Sequence, residues 1–563
     1  MIQITQLKMP VLHTREELEA QIAGVLRVRP EEIKGWKIAR RSIDARKRED
    51  LKMVYTIYAE ITAEKKILAK GKHKNIMSIH PERYHFPMPG DEKLLYPPVI
   101  VGSGPAGLFC GYMLARQGYR PVILEQGDPA AIRREKVEAF WKGGRLDPDS
   151  NIQFGEGGAG TFSDGKLNTG VKDKNGRNQE VLRIFVEAGA PEEILYDARP
   201  HLGTDLLLKI VEHMRNQILE MGGEVRFRAK AVRLVTEGDK VKGVRLQDGE
   251  TIPAQAVVLA IGHSARDTFS MLYEQGLKMQ PKSFAVGVRV EHPQQMITDS
   301  QYGPDAPEIL GAASYRLAHT LKNGRGIYSF CMCPGGYVVN ASSEQGLLAV
   351  NGMSYHARDS RNANSAIVVT VGPSDFSGCH AEGTPSVLDG LAFQRRLERE
   401  AFLCGGGAIP VQRFEDFCRN RPGGPGSYEP CMKGRYEYAN VRSIFPEFLA
   451  VSLEQGITAL NRKLPGFSLP DTLLSGVESR TSSPVRICRD DLLESNVRGI
   501  YPAGKGPAMR GASPRLPWTG CGWQRPSGKI YEYFMKSYTL FSFCARIKID
   551  FLSLPSGSLS GRE

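Results

Sequence analysis

The stretch that most constrains this chain reads VIVGSGPAGLFCGYMLARQGYRPVILEQG, residues 99–127. An apolar run meets a glycine turn, then an amphipathic helical pattern, then a second apolar run ending on an acid. Gly102, Gly104 and Gly107 form G-x-G-x-x-G. The first glycine suits a tight turn, the second lets a pyrophosphate approach the backbone, and the third lets helix and strand pack closely. Pro105 and Ala106 begin the helix, whose N-terminal N–H groups and dipole favour phosphate. Glu125 lies 18 residues beyond Gly107. At the end of the second strand its carboxylate can accept from a ribose diol, with Gln126 beside it. Strand, turn, helix and acid in this order predict a dinucleotide-binding βαβ unit. A purely structural glycine turn gives no reason for Glu125.

A second glycine cluster, NIQFGEGGAGTFSDGKLNTG, spans residues 151–170. Gly155, Gly157, Gly158 and Gly160, with Ala159 among them, offer backbone that can lie against a flat ring. Thr161, Ser163 and Lys166 add donors. Residues 203–223 then read as a helix with an apolar stripe and a glycine stop. Short strands follow, and AVVLAIG, residues 256–262, closes as a strand running into a turn at Gly262.

Together these segments resemble the FAD-dependent oxidoreductases of the glutathione-reductase type. The resemblance implies an ADP-binding end at the G-x-G-x-x-G and Glu125. It implies that the backbone at Val232 meets adenine, and that Lys166 faces the flavin pyrimidine edge. AVVLAIG matches that family's second conserved strand, and GIYPAG, ending at Gly504, its last flavin strand. More narrowly, GGAGTFSDGKL, AIGHSARDTF, FAVGVRVEHP, YSFCMCPGGYVVNASSE, NGMSYHARDSRNANSA and GVESRTSSPVRI are similar to a group of bacterial FAD-dependent dehydrogenases. The implied cofactor is FAD, and the implied fold is an α/β Rossmann-like domain carrying an insertion.

The expected domains are a small basic α+β unit (1–90), a flavin domain (95–283), an inserted α+β substrate-side domain (284–475) and the last flavin strand (476–504). In the first unit Thr14 and Glu17 form a capping box, and the order reads β-α-β-β. FPMPGDEKLLYPP, residues 86–98, reads as a proline-rich linker. In the insertion, Cys331 and Cys333 form a C-x-C. They read as packed thiols, because flavin-linked disulfides usually carry a wider spacing at a helix start. His356, Arg358, Asn362 and Asn364 read equally as a polar substrate site or a structural loop. Arg480 and Arg486 could face flavin or substrate. No residue reads as a catalytic acid, and no Cys/His set has metal spacing. No second G-x-G-x-x-G reads as a separate nicotinamide site, so NAD(P)H as electron donor has no dedicated site.

The chain has 563 residues, enough for two or three domains. Its net charge of +12 invites a nucleic-acid reading. Residues 1–90 carry 18 Lys/Arg against 11 Asp/Glu, and residues 505–563 carry 9 against 3, so the body is close to neutral. The alternative function, a flavin-dependent RNA-modifying or RNA-binding protein, therefore rests on residues 1–90 alone. The N-terminus lacks a basic start and apolar block, so no signal peptide is expected. The ten cysteines show no disulfide framework, which points to the cytoplasm. No apolar run is long enough for a membrane span.

The tail breaks the pattern. Lys505 stands where the resemblance implies an acid, and Pro507, Pro514, Pro517 and Pro526 forbid the helix that should follow. Degenerate codons read one base earlier from Gly504 are compatible with an acid, a glycine turn and an amphipathic helix. Residues 505–563 are therefore expected to be a frameshifted, non-native tail, and the exact chain an impaired or inactive product.

Overall fold

The computed structural model describes residues 1–62, 64–69, 74–81, 83–87, 92–167, 176–380, 384–504 and 547–548. The readings made of residues 505–546 and 549–563, including the frameshift, lie outside them.

The N-terminal unit is a four-stranded antiparallel sheet in the order Ile33–Asp44, Lys52–Ile61, Ile2–Pro10, Ile76–Ser78. The helix Arg15–Leu26 starts as its sequence dictates. Thr14 Oγ1 accepts from Glu17 N at 3.2 Å, and Glu17 Oε2 accepts from Thr14 N at 2.9 Å. Its buried Leu18, Ile22 and Leu26 pack on Ile2, Ile4, Ile57 and Ala59. The unit docks on the next domain through Arg41, whose Nε donates to Asp197 Oδ1 at 2.8 Å while its guanidinium lies over Tyr196.

The flavin domain is built on a five-stranded parallel sheet. Its order is Glu224–Arg226, Val122–Leu124, Val99–Val101, Val257–Leu259, Ile500–Pro502. The three central strands are buried at every residue, as apolar runs covered on both faces must be. The helices Pro105–Arg116 and Gly203–Glu220 pack against each other over one face. A three-stranded antiparallel sheet (Ala231–Glu237, Lys240–Leu246, Thr251–Pro253) contributes to the core on the other.

The inserted domain centres on a seven-stranded sheet. Its middle strands are Gly326–Cys333, Asn362–Val371, Phe284–Pro293, Leu473–Glu478 and Ile409–Arg413. Alternation gives Phe284–Pro293 two characters. Val286, Val288 and Val290 join the apolar core with Ile367, Val369 and the helix Glu447–Leu460. Arg289 and Glu291 take the opposite face, across from Ser475 and Asn364 respectively. That face is covered by the strand Val350–Met353, where an ideal Cβ on Gly352 would lie 1.6 Å from Arg289 Nη2. The insertion extends beyond residue 475, because Leu473–Glu478 pairs with Phe284–Pro293 on one side and Ile409–Arg413 on the other.

Buried charges tie the insertion to the flavin domain. Arg266, at the start of the flavin-domain helix Arg266–Glu274, donates to both Glu398 oxygens at 2.6 and 3.0 Å. Arg480 donates to the same two oxygens at 2.7 and 2.9 Å. Burial pushes the Glu398 carboxyl up, but the two guanidiniums outweigh it and hold it well below the usual range.

Candidate functional site

All five parallel strands end at one cleft, which encloses about 860 Å³ of empty space counted to its open mouth. The first strand delivers Gly102 and Gly104, the second Glu125 and Gln126. Ala229 follows the third strand, Gly262 the fourth and Gly504 the fifth.

In the glycine fingerprint, Gly102 makes a tight turn and Gly107 sits where helix and strand are in close contact. Gly102 takes φ +101°, and a Cβ there would lie 2.6 Å from Ala260 O. A Cβ on Gly107 would lie 1.8 Å from Gly102 O, so this glycine sets the distance between helix and strand. Gly104 caps the helix Pro105–Arg116 without a side-chain hydrogen bond. The first-turn N–H groups of a helix have no intrahelical partner, so this end suits a phosphate. Gly104 and Gly158 face each other across the cleft floor, a Cβ on Gly158 lying 2.9 Å from Gly104 Cα. A side chain at Gly158 would press on Gly104 across this floor. Open backbone, a helix N-terminus and apolar walls fit a dinucleotide.

Glu125 is buried and occupied. Its Oε2 accepts from Ser103 N at 2.9 Å and Ser103 Oγ at 2.7 Å. Its Oε1 accepts from Gly127 N at 2.9 Å and Gly155 N at 3.0 Å. The carboxylate thus joins three loops of the cleft. A ribose hydroxyl would have to replace one of these donors, since four fill its lone pairs.

Arg133, absent from the sequence reading, shapes the same wall. It is fully buried, and its donors reach the carbonyls of Asn151, Ile152, Gly155 and Glu156. Phe162 lies under the guanidinium at 4.9 Å. Burial lowers this group to about 10, which leaves it charged at neutral pH. Gln153 also lines the cleft and accepts from Ser264 Oγ at 2.9 Å, linking the glycine loop to the Gly262 turn. No periodicity marks Arg133 or Gln153, because their partners are loop carbonyls and a residue 111 positions away.

Gly158, Ala159, Pro105 and Ala106 line the cleft. Thr161, Ser163 and Lys166 do not. Thr161 Oγ1 donates to Glu156 O at 3.4 Å, and Ser163 Oγ bonds within its own turn. Lys166 turns toward the insertion, pairing with Asp164 at 2.7 Å and donating to Met332 O. Val232 is 39% exposed, and its neighbour Ala231 lines the cleft instead.

The polar segment 351–366 divides. Arg358 Nε donates to the buried Asp164 at 2.9 Å. Burial pushes Asp164 up, but Arg358 and Lys166 hold it well below the usual range. His356 stacks on His201 with ring centroids 5.2 Å apart. Burial, then Arg358, lowers His201 to about 4. Asn362 donates to Glu291 Oε2 at 3.1 Å. Asn364 is fully buried and finds no hydrogen-bond partner for either amide atom among the described residues. Arg480 faces Glu398 and Ser343 rather than the cleft. Arg486 sits in the strand Val485–Ile487, paired with Met279–Pro281. Among the described residues no three His, Cys, Asp or Glu side chains converge as a metal set, and no helix is long and apolar enough to cross a membrane.

Comparison with known proteins agrees with this geometry. Residues 283–481 match the family described as FAD-dependent protein, C-terminal domain-like. Residues 100–146 match an NAD(P)-binding Rossmann-like domain, and residues 1–60 a domain of unknown function, DUF8436. A Clostridium beijerinckii protein, described as "Uncharacterized protein", is 45% identical over 500 residues, covering 88% of this chain and 92% of its own. Protein FixC of Escherichia coli K12 is 27% identical over 36% of this chain and 45% of its own. Among solved structures, the anhydrotetracycline hydroxylase OxyS of Streptomyces rimosus covers 78% of this chain and 60% of its own, at 13% identity and a TM-score of 0.30. CtdE in complex with FAD covers 74% and 78%, at 10% identity and a TM-score of 0.28. The chain belongs to the family of FAD-dependent proteins that it shares with the Clostridium beijerinckii protein, and its cofactor is FAD.

Proposed function

We propose that the protein is a dehydrogenase-like, FAD-dependent oxidoreductase of the glutathione-reductase type, acting on a small-molecule substrate held by the inserted domain. The observation that carries this reading is the strand order. The sheet runs 3-2-1-4-5, and the cleft opens at the carboxyl ends of its strands, where the order reverses between Val99–Val101 and Val257–Leu259. Open α/β sheets bind their ligands at this switch point.

The helix starting at Pro105 would hold the pyrophosphate, and Gly155, Gly158 and Gly160 would lie along the cofactor. Glu125 and Gln126 would meet the ribose, with Glu125 exchanging Ser103 Oγ for a sugar hydroxyl. Ala229 and Ala231 would bound the adenine. Arg133 keeps the loop 151–156 in the shape that the cleft needs. The bound flavin supplies hydride or electron-pair transfer, while this chain positions it and excludes water. NAD(P)H is a suitable reductant that would dock transiently, and a cytoplasmic setting suits it.

Purified protein should carry flavin absorbance that bleaches anaerobically with NADH or NADPH. Protein that is colourless and takes up no added FAD, with its reading frame restored after Gly504, refutes the proposal. Bound flavin that resists both nicotinamides removes NAD(P)H as the donor.

A further inference from the structure

We infer that Glu156 is a positioning residue for the cofactor: it anchors the glycine loop of the cleft, and it takes up a proton when the FAD pyrophosphate binds. The proton uptake rests on FAD occupying this cleft, as proposed above.

The loop is first held to the βαβ unit by its backbone. Gly155 N donates to Glu125 Oε1, Glu156 N to Asp128 O and Gly157 N to Ser103 O, each at 3.0 Å. The Glu156 side chain, fully buried, adds a tie to two helices. Its Oε2 accepts from Ala130 N at 2.7 Å, at the start of Ala130–Trp141. The same oxygen accepts from Arg215 Nη1 at 2.9 Å, on Gly203–Glu220. Gly155 and Gly158, on either side of Glu156 in the chain, line the cleft.

Two buried carboxylates thus belong to the cleft wall, and they are held unequally. Glu125 accepts four hydrogen bonds over its two oxygens. Glu156 accepts two, both on Oε2, and its Oε1 has no partner among the described residues. A buried carboxylate with few donors favours its neutral form. The charges around Glu156 do not offset this. Arg215 divides itself between Glu156 and Glu212, which it meets at 3.2 Å. Arg133 spends its donors on loop carbonyls. Asp128 is itself paired with Lys136 and Arg228. Glu212 and Glu125 repel. Burial, the largest cause, pushes the Glu156 carboxyl up to about 7 against the pull of Ala130 N and Arg215.

The pyrophosphate brings two further negative charges. At the N-terminus of Pro105–Arg116 it would lie beside Gly104, whose Cα is 2.9 Å from the Cβ position of Gly158, two residues from Glu156. Like charge added near a buried carboxylate disfavours its ionised form. The complex therefore holds the proton more tightly than the free protein. By linkage, binding is tightest where Glu156 is already protonated and weakens as pH rises through about 7. His263 also lines the cleft, and its protonated ring would favour the same dianion, so the test separates the two residues.

Full-length protein stripped of flavin is titrated with FAD from about pH 6 to about pH 9, read by flavin fluorescence. Kd should be level on the acid side of about 7 and then rise, by up to about tenfold per pH unit. Calorimetry in two buffers of different ionisation enthalpy should show net proton uptake near neutral pH. Glu156→Gln, an uncharged isostere, should bind FAD with a level Kd and no uptake, while His263→Asn should keep the rise. Glu156→Ala should bind more weakly than Glu156→Gln at every pH, because the tie to both helices is gone. A level Kd in the unaltered protein, a rise that survives in Glu156→Gln, or a rise abolished by His263→Asn overturns the inference. Equal binding by Glu156→Ala and Glu156→Gln overturns the positioning role. If neither this chain nor its form with the reading frame restored after Gly504 binds FAD at any pH, the cofactor reading falls and the inference with it.

Discussion

Gly107→Ala should weaken FAD retention sharply, while the same change one turn later should not. The added Cβ at Gly107 would lie 1.8 Å from Gly102 O, against 3.4 Å for ordinary contact, so helix and strand must separate by about 1.6 Å. The obstacle is a backbone carbonyl in the turn that shapes the anion site, and it cannot rotate away. Overpacking of this kind costs roughly 1–3 kcal/mol, occasionally more, and alanine's better helix propensity returns at most about 1 kcal/mol. We expect a net loss of about 2 kcal/mol in unfolding free energy. A loss of that size in binding alone is a change of roughly 30-fold in Kd. Gly111→Ala is the control. Its Cβ would meet Ile123 Cδ1 at 2.5 Å, the far end of a flexible side chain. FAD titration by fluorescence and urea unfolding read both variants. Wild-type affinity in Gly107→Ala, or equal losses in both variants, refutes the reasoning.

Three further outcomes follow from buried charge and from the tail. Glu398→Gln leaves Arg266 and Arg480 facing a neutral amide, and loss of one partner from such a buried set costs about 3–5 kcal/mol; thermal unfolding should drop accordingly, and an unchanged midpoint contradicts this. Burial pushes the Glu291 carboxyl from 4.5 up to about 7. The folded state then holds a proton that the unfolded chain releases, so this group's stability contribution is full below 4.5 and is lost as pH rises through about 7, by up to about 1.4 kcal/mol per unit. Glu291→Gln should flatten that slope in urea unfolding across the same window, and an identical slope in both proteins argues against it. Sequencing the gene across the Gly504 codon should reveal one lost base, and the repaired protein should retain more flavin; an intact frame there removes the frameshift reading.

The cofactor fold was legible because its signals are local. A left-handed turn at Gly102, a missing Cβ at Gly107 and an acid closing the second strand all fall within residues 102–125. The capping box at Thr14 and Glu17 is local in the same sense. The place of Leu473–Glu478 in the insertion's sheet was not legible, because that strand is recognised only by its partners.

Side-chain destinations were not legible. Lys166 has donors to offer and a position near the cofactor segment, yet its partner is Met332 O, 166 residues away. Glu125 is named by the motif, but only the folded loops bring Ser103, Gly127 and Gly155 onto its carboxylate. Arg133 carries no pattern because it binds carbonyls, which every residue has. The sequence by itself determined the dinucleotide-binding unit, since backbone conformation and close packing there depend on which residues lack a Cβ. The tertiary structure alone decided which charges meet across domains, such as Arg266 and Arg480 on Glu398, and that Lys166 reaches the carbonyl of Met332. Such contacts join segments far apart in the chain, and no spacing within either segment encodes them.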